Sequence, residues 1–374
     1  MIKILQGNCI DKLKELDDKS VQCVVTSPPY WGLRDYGTAK WKGGDDNCDH
    51  IGSEAKRAPN SKMQGTNNAG LGVGYLHALK TCEKCGAIRE DSQIGLEETY
   101  QEYVESMVKV FREVKRVLKD DGVVWLNLGD SYVSSRAMGT SDNEIGSYTK
   151  PSKKIDIDKT KSKSKKTNLK TKDLVGIPWR VAFALQDDGW YLRQDIIWAK
   201  PNPMPESVKD RTTKSHEYIF LLTKSAKYFY DADAIREPVS EISLKRAEYG
   251  WDCDRPSTKN ASMGGEGIHT KKMGNRFVNP NGRNKRSVWR ITTRPYKEAH
   301  FATFPTEIPE ICIKAGSKPG DVVLDPFAGA GTTGLVATRL NRDALLIELN
   351  PEYIKLIEKR VREDAPMLNK VEIQ

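Results

Sequence analysis

The sequence predicts an α/β fold in which a mixed, mainly parallel sheet carries helices on both faces. Three observations predict it. Short apolar, β-branched runs alternate with helical periodicity at both ends of the chain. Near the C-terminus a glycine-rich turn separates one such run from a helix. The polar residues between these ends collect into long segments without sustained periodicity, which reads as insertions into one sheet rather than as separate cores.

The elements follow in order. Residues 2–5 form a short strand, 9–16 a helix and 21–25 a buried strand. That strand stops at Thr26-Ser27-Pro28-Pro29-Tyr30-Trp31, because two prolines remove two amide donors. Residues 32–95, rich in Gly, Asn, Asp and Lys, read as an insertion. A helix spans 96–118, with Tyr103, Met107, Val110, Phe111 and Val114 at three- and four-residue spacing. Asp120-Asp121-Gly122 ends it, and 123–128 is a buried strand. Residues 134–172 form a flexible basic loop; from Lys159 to Lys172 there are seven lysines and no acid. A helix at 177–187 and strands at 191–199 and 216–223 precede a second irregular stretch. From Lys245 to Arg290 that stretch holds eleven Lys and Arg against four Asp and Glu. Helix 304–315, strand 322–325, helix 332–340, strand 344–349 and helix 351–363 complete the chain. The core is therefore expected from 1–31, 96–133, 173–235 and 295–374, with 32–95, 134–172 and 236–294 set into it.

Composition narrows the class. Sixty Lys and Arg against 51 Asp and Glu give the 374 residues a formal charge of +9, which favours polyanionic partners. No uncharged apolar run approaches the ~18 residues of a membrane helix, and the N-terminus lacks a secretory h-region. A soluble, cytoplasmic protein with no membrane partner is expected. The odd cysteine count, seven, argues against a disulfide framework.

The glycine turn is Asp325-Pro326-Phe327-Ala328-Gly329-Ala330-Gly331-Thr332-Thr333-Gly334. Gly329, Gly331 and Gly334 satisfy G-x-G-x-x-G between a strand and a helix, where backbone amides at the helix start can meet a ligand. Glu348, ending the next strand, is placed to accept hydrogen bonds from ribose hydroxyls. Together they imply a nucleoside-bearing cofactor on a Rossmann-like sheet.

The Ser27-Pro28-Pro29-Tyr30 turn ends a buried strand, where α/β enzymes place their chemistry. With Phe327-Ala328-Gly329-Ala330-Gly331 it makes the sequence resemble the DNA amino-methyltransferases. Their diagnostic turns are [DNS]-P-P-[YFW] and F-x-G-x-G. The catalytic turn precedes the cofactor turn, as in the β group. Further segments resemble the family: Asn127-Leu128-Gly129-Asp130-Ser131-Tyr132, Ile196-Ile197-Trp198-Ala199-Lys200-Pro201, His216-Glu217-Tyr218 and His300-Phe301-Ala302-Thr303-Phe304-Pro305.

The resemblance implies transfer of a methyl group from S-adenosylmethionine to an exocyclic base amine of double-stranded DNA, in a bacterial or phage setting. Ser27 and the Pro28 carbonyl would accept from the amine and localise its lone pair. Pro28 and Pro29 would hold them rigidly, and Tyr30 would stack on the flipped base. Asp325, Phe327, Gly329, Gly331 and Glu348 would line the cofactor pocket, with Phe304 packing beside it. Thr332 and Thr333 would meet the methionine carboxylate. Asn8 stands where the family usually has the Asp that contacts adenine. Ser before Pro-Pro-Tyr implies cytosine N4 as the target, with adenine N6 on the same fold as the alternative. Carbon methylation is excluded because no cysteine here follows a proline.

The first insertion carries Cys48-Asp49-His50 and Cys82-Glu83-Lys84-Cys85-Gly86. Cys82-x-x-Cys85-Gly has zinc-knuckle spacing and Cys48-x-His50 supplies a less usual second pair of soft ligands, so a structural Zn2+ stapling the insertion is expected from Cys48, His50, Cys82 and Cys85. The 236–294 region is the expected target-recognition region, since its Arg and Asn residues can read base edges. The 159–172 lysines would track phosphates. A nicotinamide-dependent oxidoreductase would explain the glycine turn but not Ser27-Pro28-Pro29-Tyr30. A non-catalytic zinc and DNA-binding protein would leave the glycine turn unexplained.

Overall fold

The computed structural model describes residues 1–32, 38–50 except 46 and 49, 81–133 except 83, 168–242, 279, 281–294, 304–364 and 371–374. Most of the 134–172 and 236–294 segments, and 300–303, lie outside the described residues, as does 51–80.

Among the described residues, nine strands form one sheet. They are β1 (Ile2–Gln6), β2 (Val21–Thr26), β5 (Leu118–Leu128), β6 (Tyr191–Ala199), β7 (His216–Thr223), β8 (Val288–Arg290), β9 (Val322–Asp325), β10 (Asp343–Glu348) and β11 (Val371–Ile373). Their order is β11-β1-β10-β9-β2-β5-β7-β6-β8. Pairing is parallel from β11 to β5, antiparallel on both sides of β7, and parallel again between β6 and β8. A separate two-stranded sheet pairs β3 (Lys40–Lys42) with β4 (Ile88–Glu90) in antiparallel register.

Side chains alternate across the sheet and feed two cores. Val24, Val124 and Leu126 face α1 (Cys9–Lys14), α2 (Tyr100–Val117) and α3 (Ile177–Asp187). Cys23, Val25, Val123 and Trp125 face α4 (Glu307–Gly316), α5 (Thr332–Arg339) and α6 (Pro351–Asp364). All six residues of β2 are buried, as a central parallel strand covered on both faces requires. Among the described residues no helix is long and apolar enough to cross a membrane.

The sequence reading needs local corrections. Helix α2 starts at Tyr100, not at 96, because Thr99 and Glu102 close a reciprocal capping box there. It ends at Val117. Asp120-Asp121-Gly122 is not a terminator between helix and strand. It lies in a bulge within β5, between Leu118, paired with Val21, and Val123, paired with Cys23. Four short strands lay outside the reading. Two of them, β3 and β4, lie in the insertion. β11 pairs with β1 at one edge of the main sheet. β8 comes from the 236–294 region yet pairs with β6 and buries Trp289 in the core. Three-residue strands are too short to show a period.

Candidate active site

Parallel strands bring their carboxyl ends to one edge, and the predicted site residues gather there. β9 ends in Asp325, whose carboxylate is 1% exposed. It accepts from Thr26 Oγ1 at 2.6 Å, Thr333 Oγ1 at 2.8 Å and the Phe327 amide at 3.1 Å. Burial pushes this acid up to about 6 against the pull of those donors. Asp325 therefore fastens the end of β2 to the start of the glycine turn. Gly329 and Gly331 take positive φ of 50° and 71°. A Cβ on Gly331 would stand 2.8 Å from Ile357 Cγ2 on α6, whereas one on Gly329 would meet nothing within 4 Å. The turn is thus packed from below and open above Gly329.

Glu348 lies across from the turn. Its carboxylate accepts from the Gly329 and Asn350 amides, each at 2.8 Å, and burial pushes it up to about 7. Each oxygen retains a second lone pair for a further donor. Gly7 follows β1 and donates its amide to the Glu348 carbonyl at 3.0 Å. Asn8 caps α1, its Oδ1 accepting from the Ile10 amide at 2.9 Å, and its Nδ2 reaches the Ser92 carbonyl at 3.4 Å. Phe327 is half-buried against the α1–α3 core, and Phe304 against the other core. The hydroxyls of Thr332 and Thr333 turn inward. Thr333 is fully buried against Asp325 and the Val25 carbonyl, while Thr332 accepts from Arg360 at 2.9 Å. At this helix start the backbone amides are what remain for a ligand.

The Ser27–Tyr30 turn leaves β2 beside this pocket. The Tyr30 hydroxyl donates to Glu217 Oε2 at 2.7 Å, with Asn127 Oδ1 within reach at 3.3 Å. Ser27 Oγ lies 3.4 Å from the same hydroxyl. Burial and the Glu217 charge hold the Tyr30 phenol well above its usual range. The ring covers Gly129, where a Cβ would stand 2.5 Å from Tyr30 Cε2. Tyr103 donates to the Pro29 carbonyl at 3.0 Å.

Three residues of this network escaped the sequence reading. Glu217 is the second residue of the antiparallel β7, Asn127 lies near the end of β5, and Lys200 follows β6, so all three reach the same edge. Asn127 Nδ2 donates to Glu217 at 3.2 Å and to the Tyr218 carbonyl at 3.1 Å, and Lys200 pairs with the other Glu217 oxygen. Their segments were singled out, but the antiparallel reversal that brings Glu217 to this edge leaves no local trace.

In the insertion, Cys48, His50, Cys82 and Cys85 come together. Their ligand atoms lie within 4.8 Å of one another.

The family described as DNA methylase matches residues 21–359. The chain belongs to this family. It is a DNA amino-methyltransferase of the β group, with the Ser27–Tyr30 turn ahead of the glycine turn. Among curated relatives, the type II methyltransferase M.XycI of Xanthomonas campestris pv. cyanopsidis is 40% identical, over 96% of this chain and 87% of that protein. M.SmaI of Serratia marcescens is 39% identical, over 96% and 90%. Solved structures share the fold of this DNA methylase. A DNA modification methylase of Thermus thermophilus, complexed with S-adenosyl-L-methionine, superposes with a TM-score of 0.52 at 20% identity, covering both chains fully. The cytosine-N4-specific PvuII DNA methyltransferase gives 0.52 at 16% identity, over 99% of this chain and 94% of that one.

Proposed function

We propose that this methylase transfers the methyl group of S-adenosylmethionine to the N4 amine of cytosine in duplex DNA, after the base has left the helix. The observation that carries the reading is the Thr26–Asp325 bond. It fixes the Ser27-Pro28-Pro29-Tyr30 turn against the glycine turn, so that an amine held by one lies beside a cofactor held by the other.

Gly329, Gly331, Glu348, Asp325 and Phe327 fit such a cofactor. The turn is open above Gly329, and Glu348 keeps acceptor capacity for ribose hydroxyls. We assign Asn8 and Phe304 to the flanks of that pocket, and the amides of Thr332 and Thr333 offer the methionine carboxylate a helix N-terminus. When bound, S-adenosylmethionine supplies a sulfonium methyl that is already strongly electrophilic. What remains for the protein is to make the amine nucleophilic. Its lone pair is delocalised into the ring, and two fixed acceptors on its hydrogens draw it back. Ser27 Oγ and the Pro28 carbonyl are those acceptors, on a turn whose prolines hold it in place. Tyr30 offers the flipped base a ring face, anchored through its hydroxyl by Glu217.

Ser27 also supports the choice of base. It is an uncharged acceptor that can donate in turn, whereas the adenine-type members mostly present Asp or Asn there. On the DNA side, Arg283, Lys285, Arg286 and Arg290 gather along the β8 edge, within the 236–294 region that we assign to target recognition. Duplex DNA incubated with the protein and S-adenosylmethionine, then digested to nucleosides, should yield N4-methylcytosine by mass spectrometry. N6-methyladenine as the sole product would overturn the cytosine reading and leave the family intact.

A further inference from the structure

The Cys/His cluster of the insertion takes no part in the chemistry above, yet its geometry is specific. Cys48 Sγ stands 3.7 Å from Cys82 Sγ, and Cys85 Sγ stands 3.4 Å from His50 Nδ1. A tetrahedral zinc with Zn–S near 2.3 Å and Zn–N near 2.0 Å spaces its ligands at about 3.8 Å for S···S and about 3.5 Å for S···N. Both observed separations fall close to these edges. Cys82 and Cys85 sit on a tight turn in which the Gly86 amide donates to the Cys82 carbonyl at 2.9 Å and Gly86 takes φ of 73°. Trp41 of β3 stacks on His50 with ring centroids 4.8 Å apart. The only regular structure nearby, among the described residues, is the three-residue pair β3–β4, which is too small to stand alone.

The segment leaving β4 runs directly to the active site. Asp91 accepts from Thr38 Oγ1 at 3.0 Å and from the Gln93 amide at 3.1 Å. The Ser92 carbonyl meets Asn8 Nδ2. The Gly95 carbonyl accepts from the Gly32 amide at 2.7 Å. Gly95 itself, at φ of 101°, lies so close to the catalytic turn that a Cβ would stand 3.2 Å from the Tyr30 carbonyl.

We propose that Cys48, His50, Cys82 and Cys85 bind one Zn2+, and that this ion clamps residues 91–95 against Asn8 and the Pro29–Tyr30 backbone. Three thiolates and an imidazole select zinc over harder cations, and four protein ligands close the shell, so the ion is structural. It acts on the site through the backbone it holds. The part concerning Asn8 and Tyr30 rests on the functional reading above, whereas the ion itself does not.

The test uses the full chain purified without added zinc. Metal analysis should find one zinc per chain, and Cys85→Ser should weaken zinc binding at least about tenfold. Cobalt exchanged into the site should show the visible bands of a tetrahedral thiolate complex. Chelation of the intact protein should speed amide exchange at 91–95 and at residues 7–10 while leaving α5 unchanged, and zinc should reverse it. A metal content near zero, or a Cys48–Cys82 disulfide in its place, would overturn the metal site. Unchanged exchange on metal removal would overturn the clamp. If zinc and clamp hold but no DNA methylation occurs, the functional reading fails and this inference stands.

Discussion

The two turns at the active edge are fixed in different ways. The glycine turn is held by residues close to it in sequence. Asp325 bonds Phe327 and Thr333, and Glu348 reaches back 19 positions to the Gly329 amide. The catalytic turn is held from far away. Tyr30 is anchored by Glu217, 187 positions on, and Pro29 by Tyr103, 74 positions on. A cofactor that is the same in every turnover suits a locally built socket. On the proposed reading the Ser27–Tyr30 turn must receive a base arriving from a different polymer, and its anchors come from β5, β7 and α2.

Asp325 is where the two arrangements meet, so removing it should have the largest effect. Asp325→Ala strands the Thr26 hydroxyl and the Phe327 amide and leaves Thr333 only the Val25 carbonyl, and should lower stability by about 3 kcal/mol. It should abolish measurable methyl transfer. Denaturant titration and a tritium-transfer assay check both outcomes; a variant of full activity would show that the turns are not tied through this carboxylate.

Next in size is Glu217→Gln, which touches only the long-range side. It loosens the Tyr30 hydroxyl and leaves Lys200 without its counter-charge. The turnover rate should fall about tenfold, the scale of a displaced positioning contact. Cofactor affinity, measured by calorimetry, should hold. Equal losses in both would mean that the network supports the whole edge rather than the catalytic turn.

The smallest effect belongs to the local side. Burial pushes Glu348 up to about 7, so its charge changes across the neutral range. The ionised form accepts better from ribose hydroxyls, and S-adenosylmethionine affinity should therefore rise several-fold from pH 6 to pH 8. Glu348→Gln should flatten that profile. A profile that stays as steep in the variant would place the titrating group elsewhere.

The same contrast explains what could be read from the sequence. The strand–turn–helix around Gly329 and Gly331 was legible because its parts follow one another within a short window, and glycine is demanded where φ is positive. Helix α3, β6, β7 and β9 fall on the predicted residues, since their apolar periods are long or their runs unbroken. The roles of Thr332 and Thr333 were read from a helix start, which does not say that their hydroxyls face Asp325 and Arg360. Glu217, Asn127 and Lys200 were unreadable as a group because only the antiparallel β7 brings them together. Asp120-Asp121-Gly122 was misread because a bulge and a helix stop use the same residue types.

The contact between Tyr30 and Gly129 has an evolutionary consequence. With the ring lying over that glycine, no side chain can enter position 129 unless the ring leaves first. The fitness of any residue at 129 is thus conditional on the residue at 30, although the two lie on different strands' exits. Drift at either position alone runs into a wall. A lineage that replaced this aromatic platform would have to pass through a smaller residue at 30 before 129 became free to vary, and the way back would then be shut by whatever had filled the gap.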